Sequence, residues 1–240
     1  MKRNQSGFTL IEIAIVLVII GLLLGGVLKG QELINSAKVK NLATDFRNIP
    51  VFIYGYQDKF HALPGDDATI GTANSHLTGA TPCTGAPTVT AGCAVGNGII
   101  DGNWNDTTAA SESWVFWQHV RLAGLTTGST DTTLAPALYL PQNASGGSIG
   151  IQSGTSSTTK TPMNAGPGAT NPIRGTYIIC SPNILGKFAK QLDIQLDDGN
   201  TATGSMMSFD TSTGTYTQGV IATATSAIND SDTVTVCMGV

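Results

Sequence analysis

From Phe8 to Leu28 the chain runs through 21 residues of which only Thr9 and Glu12 are strongly polar. Coiled as an α-helix at about 1.5 Å per residue, the run is roughly 30 Å long, the hydrocarbon thickness of a bilayer. Past Leu28 the composition changes but the helical period does not. Val39, Leu42, Phe46, Ile49, Ile53, Tyr56 and Phe60 follow one another at alternating spacings of three and four. Lys38, Lys40, Asp45, Arg47 and Asp58 fall on the opposite face. That pattern predicts an amphipathic helix whose apolar stripe is core. One long helix is therefore expected over residues 8–60, with 8–28 apolar all round and 29–60 two-faced. Gly21, Gly25, Gly26 and Gly30 weaken it near the end of the apolar run, each by up to about 1 kcal/mol relative to Ala. Pro50 removes the amide that would bond the Phe46 carbonyl, which predicts a kink or a break. "HALPGDD" after Phe60 reads as a helix stop.

Residues 61–240 read as a β-rich head with long loops. Strand-like runs occur at 149–152, 176–180, 193–197, 205–210, 216–222 and 233–238. Only "ESWVFWQHVRLAGL", residues 112–125, reads as a second helix, with Trp114, Trp117, Val120, Arg121 and Leu125 on one face and Gly124 near its end. The stretch 146–172 is loop by composition. The predicted class is α+β: a long N-terminal hydrophobic helix packed on an antiparallel sheet.

Charge divides along the chain. Residues 1–60 carry net +3 and residues 61–240 net −7. An acidic head argues against nucleic acid as a partner, since that role wants a basic face. The four cysteines, Cys83, Cys93, Cys180 and Cys237, lie beyond the apolar run and form no C-x-x-C pair. A zinc ribbon or thioredoxin-type motif is thus not indicated, and disulfides in an oxidising compartment are. Three pairings are possible. Cys83–Cys93 with Cys180–Cys237 is favoured, because the first closes a short Pro/Gly/Thr-rich loop and the second ties down a C-terminal tail; four free thiols are the alternative.

Three readings of the N-terminus compete. A cleaved secretory signal has a shorter apolar stretch and a small-residue cleavage site after it, whereas "LLLGGVLKGQELI" offers no A-x-A-like site. An ordinary signal anchor fits the length and the Lys2/Arg3 cluster, which favours a cytoplasmic N-terminus. It leaves Glu12 unexplained, and an ionisable group within a membrane segment is a functional suspect by default. The third reading accounts for all of it. A short basic leader ending in Gly7, then Phe8, Thr9, Leu10, Ile11 and Glu12, then an unbroken apolar helix, resembles the N-terminus of type IV pilins and pseudopilins. The resemblance implies cleavage between Gly7 and Phe8 by a membrane-embedded prepilin peptidase, N-methylation of Phe8, and residence in the bacterial inner membrane as a single-pass precursor. It further implies assembly with pilin-like subunits into a periplasmic or extracellular fibre. Glu12 lies one helical turn from Phe8. In a staggered array the resemblance pairs its carboxylate with the amine of a neighbouring copy. Segments "FHALPGDD", "NGIIDGN", "WQHVRLAGL" and "LDIQLDDGNTATG" resemble parts of large prepilin-type bacterial proteins; they imply architecture and no activity.

Catalytic constellations are weak. "GGSIG" (Gly146–Gly150) matches G-x-S-x-G, but a nucleophile elbow needs a following helix and a later His, and the last His is His119. No enzymatic activity, small-molecule substrate or required cofactor is indicated. Asp101, Asn103, Asn105 and Glu112 occupy positions 1, 3, 5 and 12 of an EF-hand-like calcium loop, with Asp106 where that loop wants Gly. The competing reading is an Asx-rich turn with Glu112 in the first turn of the next helix and Ser111 as its N-cap. "DDGN" (Asp197–Asn200) reads as a hairpin turn between strands, ahead of a second cation site on Asp193 and Asp197. Two functions follow: a structural pilus or pseudopilus subunit, or a minor pilin whose head binds a surface, a sugar, DNA or a secreted substrate through its loops at 68–98 and 142–172.

Overall fold

The computed structural model describes residues 10–84, 93–166, 171–212 and 214–240. The chain divides into two compact units between Lys40 and Asn41. Helix α1 (Leu10–Phe60) is continuous. It runs through Pro50 without the break that its missing donor suggested. On either side of Pro50, Phe46, Ile49 and Ile53 are at most 2% exposed. Burial of such side chains is worth about 1.5–3 kcal/mol each, enough to offset the roughly 3 kcal/mol of an interior proline. The stripe from Leu42 to Tyr56 is core, as the spacing predicts. The helix stops at His61, whose φ of 54° is left-handed and whose N–H reaches the Gln57 carbonyl at 2.8 Å.

Residues 41–60 pack with the rest of the head. Tyr56 joins Ile70, Leu77 and Ala123 in one cluster, with Phe60 and Leu125 against it. Helix α2 (Glu112–Leu122) is buried from Glu112 to Arg121, more completely than its one aromatic face suggested. It ends in a Schellman motif: Gly124 has φ +76°, its N–H bonds the Arg121 carbonyl, and the Leu125 N–H bonds the Val120 carbonyl. A single turn, α3 (Pro136–Tyr139), follows.

The sheet is four-stranded and antiparallel. Strands β1 (Gly150–Ser153), β3 (Tyr177–Leu185), β4 (Met206–Asp210) and β6 (Thr233–Gly239) lie in the order β1-β3-β6-β4. Register in the centre slips between Ser181 and Ile184. Pro182 has no N–H to offer the ladder there, and Asn183 takes φ +62°. The Asn143 amide spans the bulge, donating to Ser181 Oγ and to the Pro182 carbonyl, both at 2.7 Å. Trp104, Met163, Ile178, Met207 and the Cys180–Cys237 pair form the core over this sheet.

Two strand expectations give way. Residues 193–196 close a helix, α4 (Gly186–Leu196), and do not form a strand. "LDIQL" alternates, but Phe188, Ala189, Leu192 and Asp193 are the buried set, and that spacing is helical. "DDGN" therefore links α4 to β4 and is no hairpin turn. The run at 216–222 shrinks to β5 (Val220–Ile221), paired parallel with β2 (Met163–Asn164). Tyr216 turns instead into the core, edge-on to Trp104 and hydrogen-bonded to the Pro162 carbonyl. The glycines of "GGSIG" serve packing. A Cβ at Gly147 would collide with the Pro182 carbonyl and one at Gly150 with the Trp104 carbonyl. Ser148 Oγ accepts from Gln142 Nε2, and strand β1 follows where an elbow needs a helix.

Candidate assembly segment and charged clusters of the head

Every side chain from Leu10 to Leu28 is exposed, and the large apolar ones range from 47% (Ile20) to 90% (Leu10). A helix that is apolar on all sides belongs in lipid or among other helices. Among the described residues, this is the one helix long and apolar enough to cross a membrane. Glu12 is the one ionisable residue within the run from Leu10 to Leu28. Polar chemistry returns with the exposed Lys29–Glu32 ion pair at 2.6 Å. Added Cβ atoms at Gly21, Gly25, Gly26 and Gly30 meet nothing within 4 Å, so no contact among the described residues requires glycine there. Gly7 and Phe8, the expected processing pair, lie outside the described residues.

In the head, "PGDD" is a knot more than a stop. Asp66 accepts the backbone N–H groups of Gly96, Asn97 (3.1 Å) and Gly98 (2.7 Å). Burial nevertheless keeps its carboxyl above the usual carboxylate range. Asp67 accepts from the Thr69 amide and hydroxyl, from Tyr56 Oη at 2.8 Å and from His76 Nδ1 at 3.1 Å. Burial pushes Asp67 up, but those bonds outweigh it and hold the group below its ordinary value. The two acids thus pin the loops at 69–77 and 96–98 to the end of α1.

The loop from Asp101 to Glu112 closes on itself. Glu112 is wholly buried, and its Oε2 accepts the Asp101 N–H at 2.9 Å. Burial pushes its carboxyl up to about 8, the Asp101 amide pulls the other way, and Asp66 and Asp101 add to the rise. Asp101 Oδ2 accepts from Asn97 Nδ2, and Asp106 Oδ2 accepts the Asn103 N–H, both at 2.8 Å. Asn103 and Asn105 are exposed while Asp101 and Glu112 are buried. Ser111 occupies the N-cap position, but its hydroxyl faces Ser113 Oγ and makes no cap bond.

His119 offered no signal in the sequence. In the structure it sits on α2 at 1% exposure, its Nδ1 accepting the Gly65 N–H at 3.0 Å and its Nε2 facing the Thr81 carbonyl at 3.4 Å. Burial pushes its pKa down to about 4. Gly65 has φ +93°, and a Cβ there would meet the Glu112 carbonyl oxygen, so this close approach of loop to helix admits glycine alone.

Two disulfides are formed, Cys83–Cys93 and Cys180–Cys237. The second joins residues directly opposite each other on β3 and β6, 4.1 Å between Cα atoms, the close type of antiparallel pair.

No curated protein and no solved structure matches the chain. The prokaryotic N-terminal methylation motif matches residues 2–28. Chains bearing this motif are structural subunits, processed by a prepilin peptidase and assembled with other pilin subunits, and the exposed apolar helix is consistent with an inner-membrane anchor that later enters a fibre. With its basic start, its Glu12 and its unbroken apolar helix, the N-terminus of this chain is a type IV pilin-like prepilin signal.

Proposed function

We propose that the protein is a structural subunit cut between Gly7 and Phe8, N-methylated on Phe8, and polymerised through α1 into a type IV pilus or a type II secretion pseudopilus. The observation that carries this reading is the exposed apolar surface from Leu10 to Leu28, which lies within the stretch matched by the methylation motif. Lipid covers that surface before assembly and the helices of other subunits cover it afterwards. Cleavage ahead of the segment keeps the anchor and creates a cationic amine, since an α-amine titrates near pH 8. Glu12 meets the Phe8 amine of an adjacent copy. Between low-dielectric helices the attraction is far stronger than in water. A slipped register would leave one buried charge uncompensated, at a cost of about 3–5 kcal/mol. The stagger of the fibre is set by that penalty.

Glu12→Gln keeps the shape of the side chain and removes its charge. It should leave membrane insertion and processing intact while lowering filament number at least tenfold, read by electron microscopy and by the subunit recovered in sheared fibres. Filaments of normal number and length from the variant would refute the pairing.

A further inference from the structure

Three carboxylates converge where α4 runs into β4. Asp193, Asp197 and Asp198 each place an oxygen within 4.8 Å of the others'. That is the separation of two oxygens on opposite sides of one calcium ion, given calcium–oxygen distances of about 2.3–2.6 Å. Asp193 is 0% exposed, and neither of its carboxylate oxygens has a hydrogen-bond partner. The amides of Gly199 and Asn200 face it without completing a bond. A buried, unsatisfied carboxylate of this kind costs several kcal/mol unless something answers it.

No cation among the described residues does. Among the described residues none of the three acids forms an ion pair with a Lys or Arg. The last turn of α4 carries no basic residue. It is also the negative pole of the helix, where the final carbonyls lack intrahelical partners. Acids at a helix C-terminus are the wrong sign for the dipole, so three together call for a positive ion. The neighbouring backbone is fitted to them. Asp197 Oδ2 accepts the Met206 N–H at 2.7 Å, and Asp198 accepts the Asn200 N–H and the Thr203 hydroxyl. Gly204, at φ +88°, leaves the space its Cβ would take to the Asp197 carboxylate. These bonds orient two acids and leave the third, buried one with both oxygens to give.

We propose that Asp193, Asp197 and Asp198 bind a single calcium ion that ties the end of α4 to the start of β4. An all-oxygen donor set selects a hard cation. Three carboxylates, one in the last turns of α4 and two just after it, suit calcium better than magnesium, which demands near-octahedral geometry and sheds water reluctantly. The affinity belongs with extracellular modules, about 10⁻⁴–10⁻³ M.

The test uses the full chain in detergent, stripped with EDTA and titrated with calcium chloride or magnesium chloride. Calcium at a hundredfold its dissociation constant should raise Tm by roughly 5–10 °C, with calorimetry giving one site and magnesium much less. Asp193→Asn removes the buried charge but not the shape. It should melt higher than the parent in EDTA and show no calcium shift. Glu112→Gln, in the other acidic loop, should keep the full shift. No heat and no shift in the parent would overturn the proposal. So would an undiminished response in Asp193→Asn, or a response lost in Glu112→Gln and kept in Asp193→Asn.

Discussion

At the scale of single residues, two titrating groups on α2 pull stability in opposite directions. His119 accepts the Gly65 amide as a neutral ring, and burial holds its folded pKa at about 4 against 6.5 in the free side chain. Between those values the unfolded chain takes up a proton that the folded chain refuses. Its contribution is therefore present above pH 6.5 and lost as pH falls toward 4. At about 1.4 kcal/mol per pKa unit the loss approaches 3 kcal/mol. Glu112 behaves in reverse. Its folded pKa of about 8 lies above the 4.5 of the free group, so the folded chain keeps a proton that the unfolded chain has released. Stability from Glu112 is present below pH 4.5 and lost as pH rises toward 8. His119→Asn should cost stability near neutrality and flatten the acid limb of a Tm-against-pH curve. Glu112→Gln retains an acceptor for the Asp101 amide. It should match the parent below pH 4.5 and exceed it by roughly 10 °C at pH 8, at about 1.4 kcal/mol per pKa unit and about 2–4 °C per kcal/mol for a chain of this size. A Glu112→Gln variant destabilised equally at every pH would show that the side chain acts through packing alone.

At the scale of elements, the two disulfides staple very different things. Cys180–Cys237 bridges the two central strands across 57 residues, and Cys83–Cys93 spans only ten. By loop-closure entropy the longer span is worth about 4 kcal/mol and the shorter nearer 3. The longer one also fills the core beside Trp104 and Met207. Replacing Cys180 and Cys237 by Ala should thus lower Tm more than replacing Cys83 and Cys93, by a margin that urea titration can measure; equal losses would contradict the core assignment. Which elements were legible in the sequence follows from the same distinction between local and distant causes. The stripe on α1, the aromatic helix α2 and the strands β3, β4 and β6 each carry their own period, so they could be read in place. Helix α4 could not, because the alternation in "LDIQL" obscures a helical burial set that begins upstream at Phe188. His119 lay beyond reach for another reason, and so did the burial of Asp193, which the sequence offered with Asp197 only as a cation candidate ranked behind a hairpin turn. What makes them notable is the absence of water and partners, and burial is set by residues far away in the chain. Glu12 was legible because its surroundings are local: a charge within 21 residues of otherwise apolar helix needs no tertiary contact to stand out.

At the scale of the whole molecule, the chain separates two tasks by composition. Residues 1–60 carry net +3 and supply an apolar surface with no covering of its own from Leu10 to Leu28; residues 61–240 carry net −7 and hold their core together with a sheet and two disulfides. An acidic, well-knit head suits the proposed fibre, in which the heads face solvent. Like-signed heads repel over about 8–10 Å at physiological ionic strength, so cohesion has to come from the helices. That places the burden of assembly on the segment the methylation motif covers, and it separates a body subunit from a binding tip by stoichiometry. A body subunit should be the dominant band in sheared fibres. Its mass should show the loss of Met1–Gly7, one added methyl group and four cysteines in disulfide form. A trace band of the same processed mass would assign the chain to the minor, ligand-binding class. An unprocessed mass in assembled fibres would rule out the Phe8 amine as the partner proposed for Glu12.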